Sequence, residues 1–394
     1  MGWLGLDDTD SLSGGCTTEV FHQLLSDLPE GTDVGEPRLV RLWPFAQRRT
    51  RGNAALSIEL NHDDEHALLN HLDAWWTNHV VPLVGQVEES EISNREQSPS
   101  SPGMVWFRQQ PDEAFYWHSV REDASQTALP PADRSWGGHG CIGATAAVAW
   151  RDHLVTWEAI AWRMEGQMGV RQLDVDALTT LDTWPSIVLS RDPRKGNHVV
   201  APRGKSPVLF GLRSLDRSDA EAACRLLLEA ENTEGASGWR VFRTNQASGD
   251  HLSESLVLEV MDVLVDAVRK HARILTNGPS LRMYAEGGPV NALGRWLVAG
   301  DTVEVRGLHH PDGDLHVEQV RLLKAVARKQ ERPLCPACST RMKSMGAGQG
   351  LRCPACKIRG EDSWVNIVPK PPFEGWVEPP LDARRHLARP LDWN

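Results

Sequence analysis

The chain has no lysine before Lys195, and that absence restricts its chemistry. An N-terminal half that binds a nucleotide must neutralise phosphates with arginine, a metal ion or backbone amides, because a P-loop lysine is missing there. Gly204-Lys205-Ser206 looks like a fragment of that motif, but Val199 stands where its first glycine belongs, so the match reads as coincidence. Long apolar runs are missing too: no stretch of roughly 18 apolar residues is present to span a bilayer. The N-terminus carries no basic region followed by an apolar stretch and a small-residue cleavage site, so the expected location is cytoplasmic. Excess positive charge is also absent. A formal net charge of −11 argues against coating nucleic acid by bulk electrostatics and leaves any RNA or DNA contact to local basic patches. Of seven cysteines, four are grouped near the C-terminus and Cys16, Cys141 and Cys224 are scattered, which is not a disulfide framework.

A length of 394 residues exceeds one ordinary core and suggests two to three domains, or more if some are small. Hydrophobic content of 40% with 24% charged residues is that of a soluble globular protein. Basic patches do occur. Arg38, Arg41, Arg48, Arg49 and Arg51 lie together without an acid, and Arg191, Arg194, Lys195, Arg203, Lys205 and Arg213 lie against the single acid Asp192. Each group reads equally as a solvated face or as a contact for a polyanion.

Residues 5 to 18 concentrate the chemistry. Gly5-Leu6-Asp7-Asp8-Thr9-Asp10-Ser11-Leu12-Ser13-Gly14-Gly15-Cys16-Thr17-Thr18 places three carboxylates, several hydroxyls and a Gly-Gly hinge between an apolar strand and a helix. Three acids within four residues repel one another unless a cation sits among them, and hard oxygen ligands of this kind suit Mg2+ together with a nucleotide's phosphates. Asp7, Asp8 and Asp10 are the candidate ligands, with a phosphate over the Gly14-Gly15 backbone. An Asp-rich turn with capping hydroxyls is the plain alternative. Thr17 stands where the helix dipole favours a phosphate, placed to cap the helix, contact a phosphate or accept a phosphoryl group.

Trp3–Leu6 reads as a strand, and Thr17 or Thr18 as the cap of a helix carrying Val20, Phe21, Leu24, Leu25 and Leu28 at helical spacing. Leu39–Trp43 and Ala54–Leu60 read as strands flanking the arginine-rich loop, and 64–78 as a helix. From Glu88 to Arg134 the composition turns Ser-, Glu- and Pro-rich, which predicts an irregular stretch broken by an aromatic patch at Trp106 and Phe107. A helix over Ala144–Trp150 and a strand over Leu154–Trp162 follow. Residues 184–213 alternate apolar strands with a basic loop. Ala220–Ala230 is predicted helical, Trp239–Phe242 a strand and 252–271 a helix, a sequence of elements that suits a split βαβ layer. Beyond Ala272 the pattern becomes short alternating strands. Gly300-Asp301-Thr302-Val303-Glu304-Val305-Arg306-Gly307 and His316–Val320 suggest a small β-barrel of OB type, a fold that holds single-stranded nucleic acid.

Cys335-Pro336-Ala337-Cys338 and Cys353-Pro354-Ala355-Cys356 are two Cys-x-x-Cys knuckles with Gly346, Gly348 and Gly350 on the hairpin between them. Four thiolates at this spacing satisfy tetrahedral Zn2+ and leave no open position, so the site is structural. Arg328, Lys329, Arg332, Arg341, Lys343, Arg352, Lys357 and Arg359 surround it as a basic knob, which beside an OB-type barrel points to RNA. Gly138-x-Gly140-x-x-Gly143 matches the dinucleotide fingerprint in form, but polar residues precede it where a strand is needed. A tight turn feeding a helix and a phosphate cradle are equally good readings. His139 and Cys141 have no catalytic partner visible in sequence, and no nucleophilic role is assigned to them.

Taken together the motifs resemble the archaeal tRNA-isoleucine 2-agmatinylcytidine synthetase (agmatidine synthetase) family. The resemblance rests on the 5–18 loop, Arg49-Thr50-Arg51-Gly52-Asn53, Gly140-Cys141-Ile142-Gly143-Ala144, and Ser206-Pro207-Val208-Leu209-Phe210-Gly211-Leu212-Arg213. It continues through Thr244-Asn245 with His251-Leu252, the cysteine knuckles with Gly348-Gln349-Gly350, and Pro380 with Ala383-Arg384-Arg385-His386-Leu387. It fades over 88–134. The resemblance implies a multidomain α+β protein: a kinase-like α/β ATP-binding domain over 1–130, a ferredoxin-like domain over 131–268, an OB-fold over 269–326, a zinc ribbon over 327–362 and a C-terminal tail over 363–394. It implies an enzyme that uses ATP to activate the 2-oxo group of the wobble cytidine in a CAU anticodon as a phosphoryl ester. The amine of agmatine then displaces phosphate, AMP being among the products. By matching position, Asp7, Asp8 and Asp10 serve Mg2+-ATP and Thr17 is the phospho-acceptor; from the residues themselves, Arg49 and Arg51 are expected to offset charge on the transferred phosphoryl group. Gly14, Gly15, Thr18, Gly140 and Gly143 contact the nucleotide, and Cys335, Cys338, Cys353 and Cys356 hold Zn2+. The implied partners are tRNA and agmatine, with no membrane and no obligate protein partner. Asp250 is a candidate for agmatine. A non-catalytic RNA-binding adaptor, or a small-molecule kinase indifferent to tRNA, are the competing readings.

Overall fold

Strand β1 (Gly2–Asp7) forms where the sequence predicts it, with Leu4 and Leu6 fully buried and Asp7 at its C-terminal end. The computed structural model describes every residue except 11–14, 49–52, 86–97, 193–195, 197, 203–205 and 394. Chain contacts divide it into two units, 1–253 with 380–394, and 254–379.

The first unit runs β1, α1 (Thr17–Ser26), β2 (Asp33–Val34), β3 (Arg38–Arg41), β4 (Ala54–Asn61), α2 (Glu65–Trp75), β5 (Gly103–Phe107), α3 (Ala114–Arg121), β6 (Arg134–Gly137) and α4 (Cys141–Ala149). It continues with β7 (Thr156–Arg163), α5 (Val175–Leu181), β8 (Ile187–Val188), β9 (Val208–Ser214), α6 (Arg217–Glu229) and β10 (Ala236–Thr244). Among the described residues these strands make one mixed sheet in the order β6-β5-β1-β4-β3-β10-β7-β9-β8, with β2 on β4. Neighbours are antiparallel except β10, which runs parallel to β3. Two helical layers cover the first half. Leu4, Leu6, Met104 and Trp106 pack with Phe21, Leu24, Leu68 and Leu72 of α1 and α2, while Val105 and Phe107 pack with Ala144 and Val148 of α4. Burial on both faces explains why β1 and β5 read as continuous apolar runs instead of alternating ones.

Several expectations differ from the structure. The stretch 88–134 contains β5, buried throughout, and helix α3; a short apolar run flanked by Ser and Pro is weak as a sequence signal even when both faces of the strand are covered. Strand β6 does precede the Gly138-x-Gly140-x-x-Gly143 segment, hidden because Arg134 and Ser135 face outward. Cys16, not Thr17 or Thr18, is the N-cap of α1, and its own side chain makes no capping bond. The boundary expected at 130/131 falls within one continuous sheet: β6 pairs with β5, and α4 lies against β1 and β5. Residues 380–394 return to this unit, where the Ala247 and Gly249 N–H groups donate to the His386 and Leu387 carbonyls, both at 2.8 Å.

The second unit holds a closed five-stranded barrel, β11 (Leu256–Val265), β12 (Ala272–Thr276), β13 (Leu281–Met283), β14 (Thr302–His309) and β15 (Leu315–Lys324), with α7 (Pro289–Trp296) between β13 and β14. The strand order is β11-β12-β13-β15-β14, and β13 runs parallel to β15. The helix expected over 252–271 is therefore wrong. Burial alternates along Leu256-Val257-Leu258-Glu259-Val260, and the segment pairs with β12 and β14, so the barrel begins well before residue 269. Beyond the barrel lie β16 (Lys329–Glu331), β17 (Lys343–Ser344), β18 (Leu351–Arg352), β19 (Arg359–Gly360) and β20 (Val365–Ile367), in two small sheets.

Candidate active site

β1 delivers Asp7 to the sheet end, and Asp8 then takes a left-handed conformation (φ 59°) that breaks strand alternation. The turn leaves Asp7, Asp8 and Asp10 lining one cavity. Asp7 Oδ1 accepts the Asp8 N–H at 2.7 Å, and Asp8 Oδ2 accepts the Ser101 N–H at 3.0 Å. Asp10 is buried, and Oδ1 of Asp10 accepts the Thr17 hydroxyl at 3.3 Å. Burial and the neighbouring Asp8 and Asp10 charges raise the Asp7 carboxyl well above the usual range; burial pushes Asp8 up to about 7. Burial and like charge thus disfavour the ionised forms of Asp7 and Asp8, a penalty that a bound divalent cation would offset.

Helix α4 sits against this acid cluster because Gly140 and Gly143 have no side chains. A Cβ at Gly143 would lie 1.8 Å from Asp7 Oδ2, and one at Gly140 would lie 2.6 Å from the Asp7 carbonyl oxygen. The glycines of this segment thus serve close helix–strand packing, and the same packing puts both residues on the wall of the cavity.

That cavity, about 460 Å³, is lined by Asp7, Asp8, Asp10, Thr17 and Thr18 together with Gly140, Gly143 and His139. Other wall residues were not predicted as site members: Arg41, Arg48, Glu158, Arg213 and His386. Glu158 is buried on β7, accepting from Arg41 at 3.2 Å and lying 3.8 Å from Arg213. Arg41, burial and Arg213 hold the His386 imidazole well below its ordinary pKa, so it is neutral near pH 7. The arginine-rich signal at 38–51 pointed toward Arg41 and Arg48. Glu158 carried no local signal, and His386 stood in the 383–387 motif with nothing in the sequence to place it at this cavity.

Several predicted residues separate here. Thr17 and Thr18 both line the cavity, but their hydroxyls differ: Thr17 donates to Asp10, whereas Thr18 accepts the Trp162 indole N–H at 3.1 Å. Gly15 has φ 75° at the entry to α1. Gly14, Arg49 and Arg51 lie outside the described residues, as do Arg194, Lys195, Arg203 and Lys205. Arg38 is not a solvated charge but is buried, bonded to the Trp150 carbonyl at 3.0 Å and to Asp152 at 2.7 Å. The Cys141 thiol donates to the Trp136 carbonyl at 3.3 Å, and burial pushes its pKa up to about 11, which suits a packed thiol rather than a nucleophile. Asp250 is not on the cavity wall; it accepts the Tyr116 hydroxyl at 2.6 Å within the protein interior.

In the second unit the sulfur atoms of Cys335, Cys338, Cys353 and Cys356 lie within 4.8 Å of one another. The residues after each knuckle, Ser339 and Lys357, have φ of 53° and 66°, and each N–H returns to the carbonyl of its first cysteine. Two matching turns around four thiols fit one tetrahedral Zn2+. Of the basic residues around it, Arg328 pairs with Asp301, Lys329 and Arg341 with Glu331, and Arg332 with Asp362, so the knob is less cationic than its sequence suggests.

An acid-lined, arginine-flanked cavity on an α/β layer, with a closed barrel and a four-cysteine ribbon, defines a multidomain phosphoryl-handling enzyme with a structural metal module. Family models agree on the particular kind: the TiaS TCKD domain matches 3–68, the TiaS FLD domain 138–251 and the TiaS C-terminal zinc ribbon domain 332–368. The isoleucine-tRNA 2-agmatinylcytidine synthetase TiaS of Methanopyrus kandleri is 30% identical, covering 99% of this chain and 96% of its own. That of Pyrococcus horikoshii is 28% identical, over 98% and 96%. Crystal structures of apo TiaS and of TiaS in complex with its isoleucine tRNA and ATP, each 25% identical over 99% of this chain and 97% of theirs, superpose with TM-scores of 0.78 and 0.76. The chain belongs to the TiaS family of isoleucine-tRNA 2-agmatinylcytidine synthetases.

Proposed function

We propose that the protein is an ATP-dependent carbon–nitrogen ligase that joins agmatine to C2 of the wobble cytidine in the CAU anticodon of an isoleucine tRNA, giving agmatidine. The observation that carries this is 30% identity to a 2-agmatinylcytidine synthetase along 99% of the chain, with the acid-lined cavity falling in the matched region. ATP, tRNA and agmatine are the substrates; no partner protein is invoked. The location assigned is cytoplasmic; among the described residues no helix is long and apolar enough to cross a membrane.

Asp7, Asp8 and Asp10 supply the hard oxygen donors that suit Mg2+, whose charge would offset the burial that raises the Asp7 and Asp8 carboxyls. When bound, Mg2+ neutralises phosphate charge. The chain's own groups do the rest. Asp10 orients the Thr17 hydroxyl and accepts its proton when Thr17 takes a phosphoryl group. Arg41, Arg48 and Arg213 stand on the same wall and offset charge developing on the phosphoryl oxygens, a role Arg49 and Arg51 share. Gly14, Gly15, Thr18, Gly140 and Gly143 are assigned to nucleotide contact. The adaptor reading gives no account of a cavity of this size lined by acids, arginines and Thr17.

The order β11-β12-β13-β15-β14, with β13 parallel to β15, supports an OB-fold beginning near residue 254. We assign a kinase-like module around the acidic loop and a ferredoxin-like module to β7–β10 with α5 and α6, the two sharing one sheet. A zinc ribbon over 327–362 and a tail returning to the first unit complete the assignment. The test is AMP release on adding ATP, agmatine and CAU-anticodon tRNA together. Asp8→Ala should abolish it with zinc content unchanged, and ATP turnover indifferent to tRNA would refute the reading.

A further inference from the structure

The β14–β15 hairpin carries a second group of metal-ligating side chains that the reaction does not use. Its turn is closed by two backbone bonds, His310 N–H to the Asp314 carbonyl and Gly313 N–H to the His310 carbonyl, both 2.9 Å, with Gly313 at φ 90°. Closure stacks the His310 and His316 imidazoles, 4.4 Å between centroids and 5° from parallel, and brings Asp312 Oδ1 to 2.9 Å from His310 Nδ1. Ligating atoms of His310, Asp312 and His316 all lie within 4.8 Å of one another.

The same His310 Nδ1 accepts the Asp312 N–H at 3.2 Å. With a proton on Nδ1 the pair is an ordinary hydrogen bond or ion pair, and with Nδ1 bare the same two atoms can share a metal ion. Neighbouring groups hold the set in place. The Tyr284 ring stands edge-on to both His316 (5.2 Å) and His271 (5.1 Å), with its hydroxyl 3.4 Å from His316 Nε2. Asp314 stays out of the donor set because Arg273 and Arg282 bind it at 2.8 and 2.6 Å.

We infer that His310, Asp312 and His316 form a binding site for a labile divalent transition-metal ion, separate from the four-cysteine ribbon. Two imidazoles and one carboxylate select Zn2+, Ni2+, Co2+ or Cu2+ over Mg2+, and three protein ligands leave a position for water or another oxygen donor. The ion would close the 310–316 loop and fix the hairpin tip, with Tyr284 as an outer-shell positioning residue. This inference does not depend on the ligase reading.

The full-length protein with its ribbon zinc retained is dialysed against Zn2+ in excess Mg2+, which keeps the Asp7, Asp8 and Asp10 acids occupied, and bound zinc is counted by mass spectrometry. Two equivalents are expected for the wild type and one for His310→Ala/His316→Ala. Tyr284→Phe should weaken the second site about tenfold. Co2+ filling the second site should absorb without a sulfur-to-metal charge-transfer band, and excess Mg2+ should not displace it. Asp312→Asn, at an exposed turn position, gives the same readout should the double variant not fold. A single equivalent in the wild type, which would mean that His310 is merely protonated against Asp312, overturns the inference. So does a second equivalent that survives both sets of substitutions.

Discussion

Gly143→Ala tests whether helix packing positions the acid cluster. The added methyl would lie 1.8 Å from Asp7 Oδ2, whereas ordinary contact begins near 3.4 Å, so about 1.6 Å must be found by movement. The helix has little room to give, because every residue of α4 is buried, and the carboxylate is the mobile partner. Overpacking of this kind costs about 1–3 kcal/mol of stability. Displacing a group by 1 Å at a reacting centre costs about 100-fold in rate. We therefore expect agmatine- and tRNA-dependent AMP release to fall by at least about 100-fold, with the fold and the ribbon zinc intact. Gly287→Ala, whose added methyl would have its nearest neighbour atom 3.8 Å away, is the control and should be neutral. Initial-rate assays at saturating ATP, beside thermal unfolding, decide the matter. Near wild-type turnover in Gly143→Ala would refute the claim that this glycine sets the Asp7 carboxylate.

Thr17→Ser should keep activity and Thr17→Ala should lose it, whereas Thr18→Val, which removes a hydroxyl that accepts from Trp162, should cost stability first; turnover and unfolding measured on all three separate the roles. His386 is held unprotonated in the fold, so the unfolded chain binds the extra proton below about pH 6.5 and stability falls as pH drops through that range. His386→Gln should flatten that part of the curve of thermal midpoint against pH, and an unchanged slope would contradict the assignment. Cys338→Ser should lower zinc content and unfold the ribbon while leaving the Asp7 cavity able to bind ATP, as measured by nucleotide binding; loss of ATP binding would show that the ribbon's role is not confined to its own unit.

Spacing made the ribbon legible, because tetrahedral thiolate ligation demands two close pairs whatever surrounds them. The β1–loop–α1 segment was legible for a similar reason, since its acids and glycines are adjacent in sequence. The strand β11 was not. Val257 and Met261 on its outer face are apolar, which masks the period-two signal and mimics a helical stripe. Arg38 looked like part of a basic face, but its guanidinium stacks 4.3 Å from the Trp3 ring and pairs with Asp152, over a hundred positions away. Glu158 and His386 meet Arg41 only through the sheet order and the returning tail, and no local pattern encodes such long-range convergence.

The most direct test of the central claim is to supply labelled agmatine, ATP and an isoleucine tRNA bearing CAU, then digest the tRNA and identify its wobble nucleoside by mass spectrometry. One agmatine joined to that cytidine per tRNA is expected, with AMP formed in step and nothing formed by Asp8→Ala. ATP consumed without a modified cytidine, or agmatine joined elsewhere on the tRNA, would contradict it.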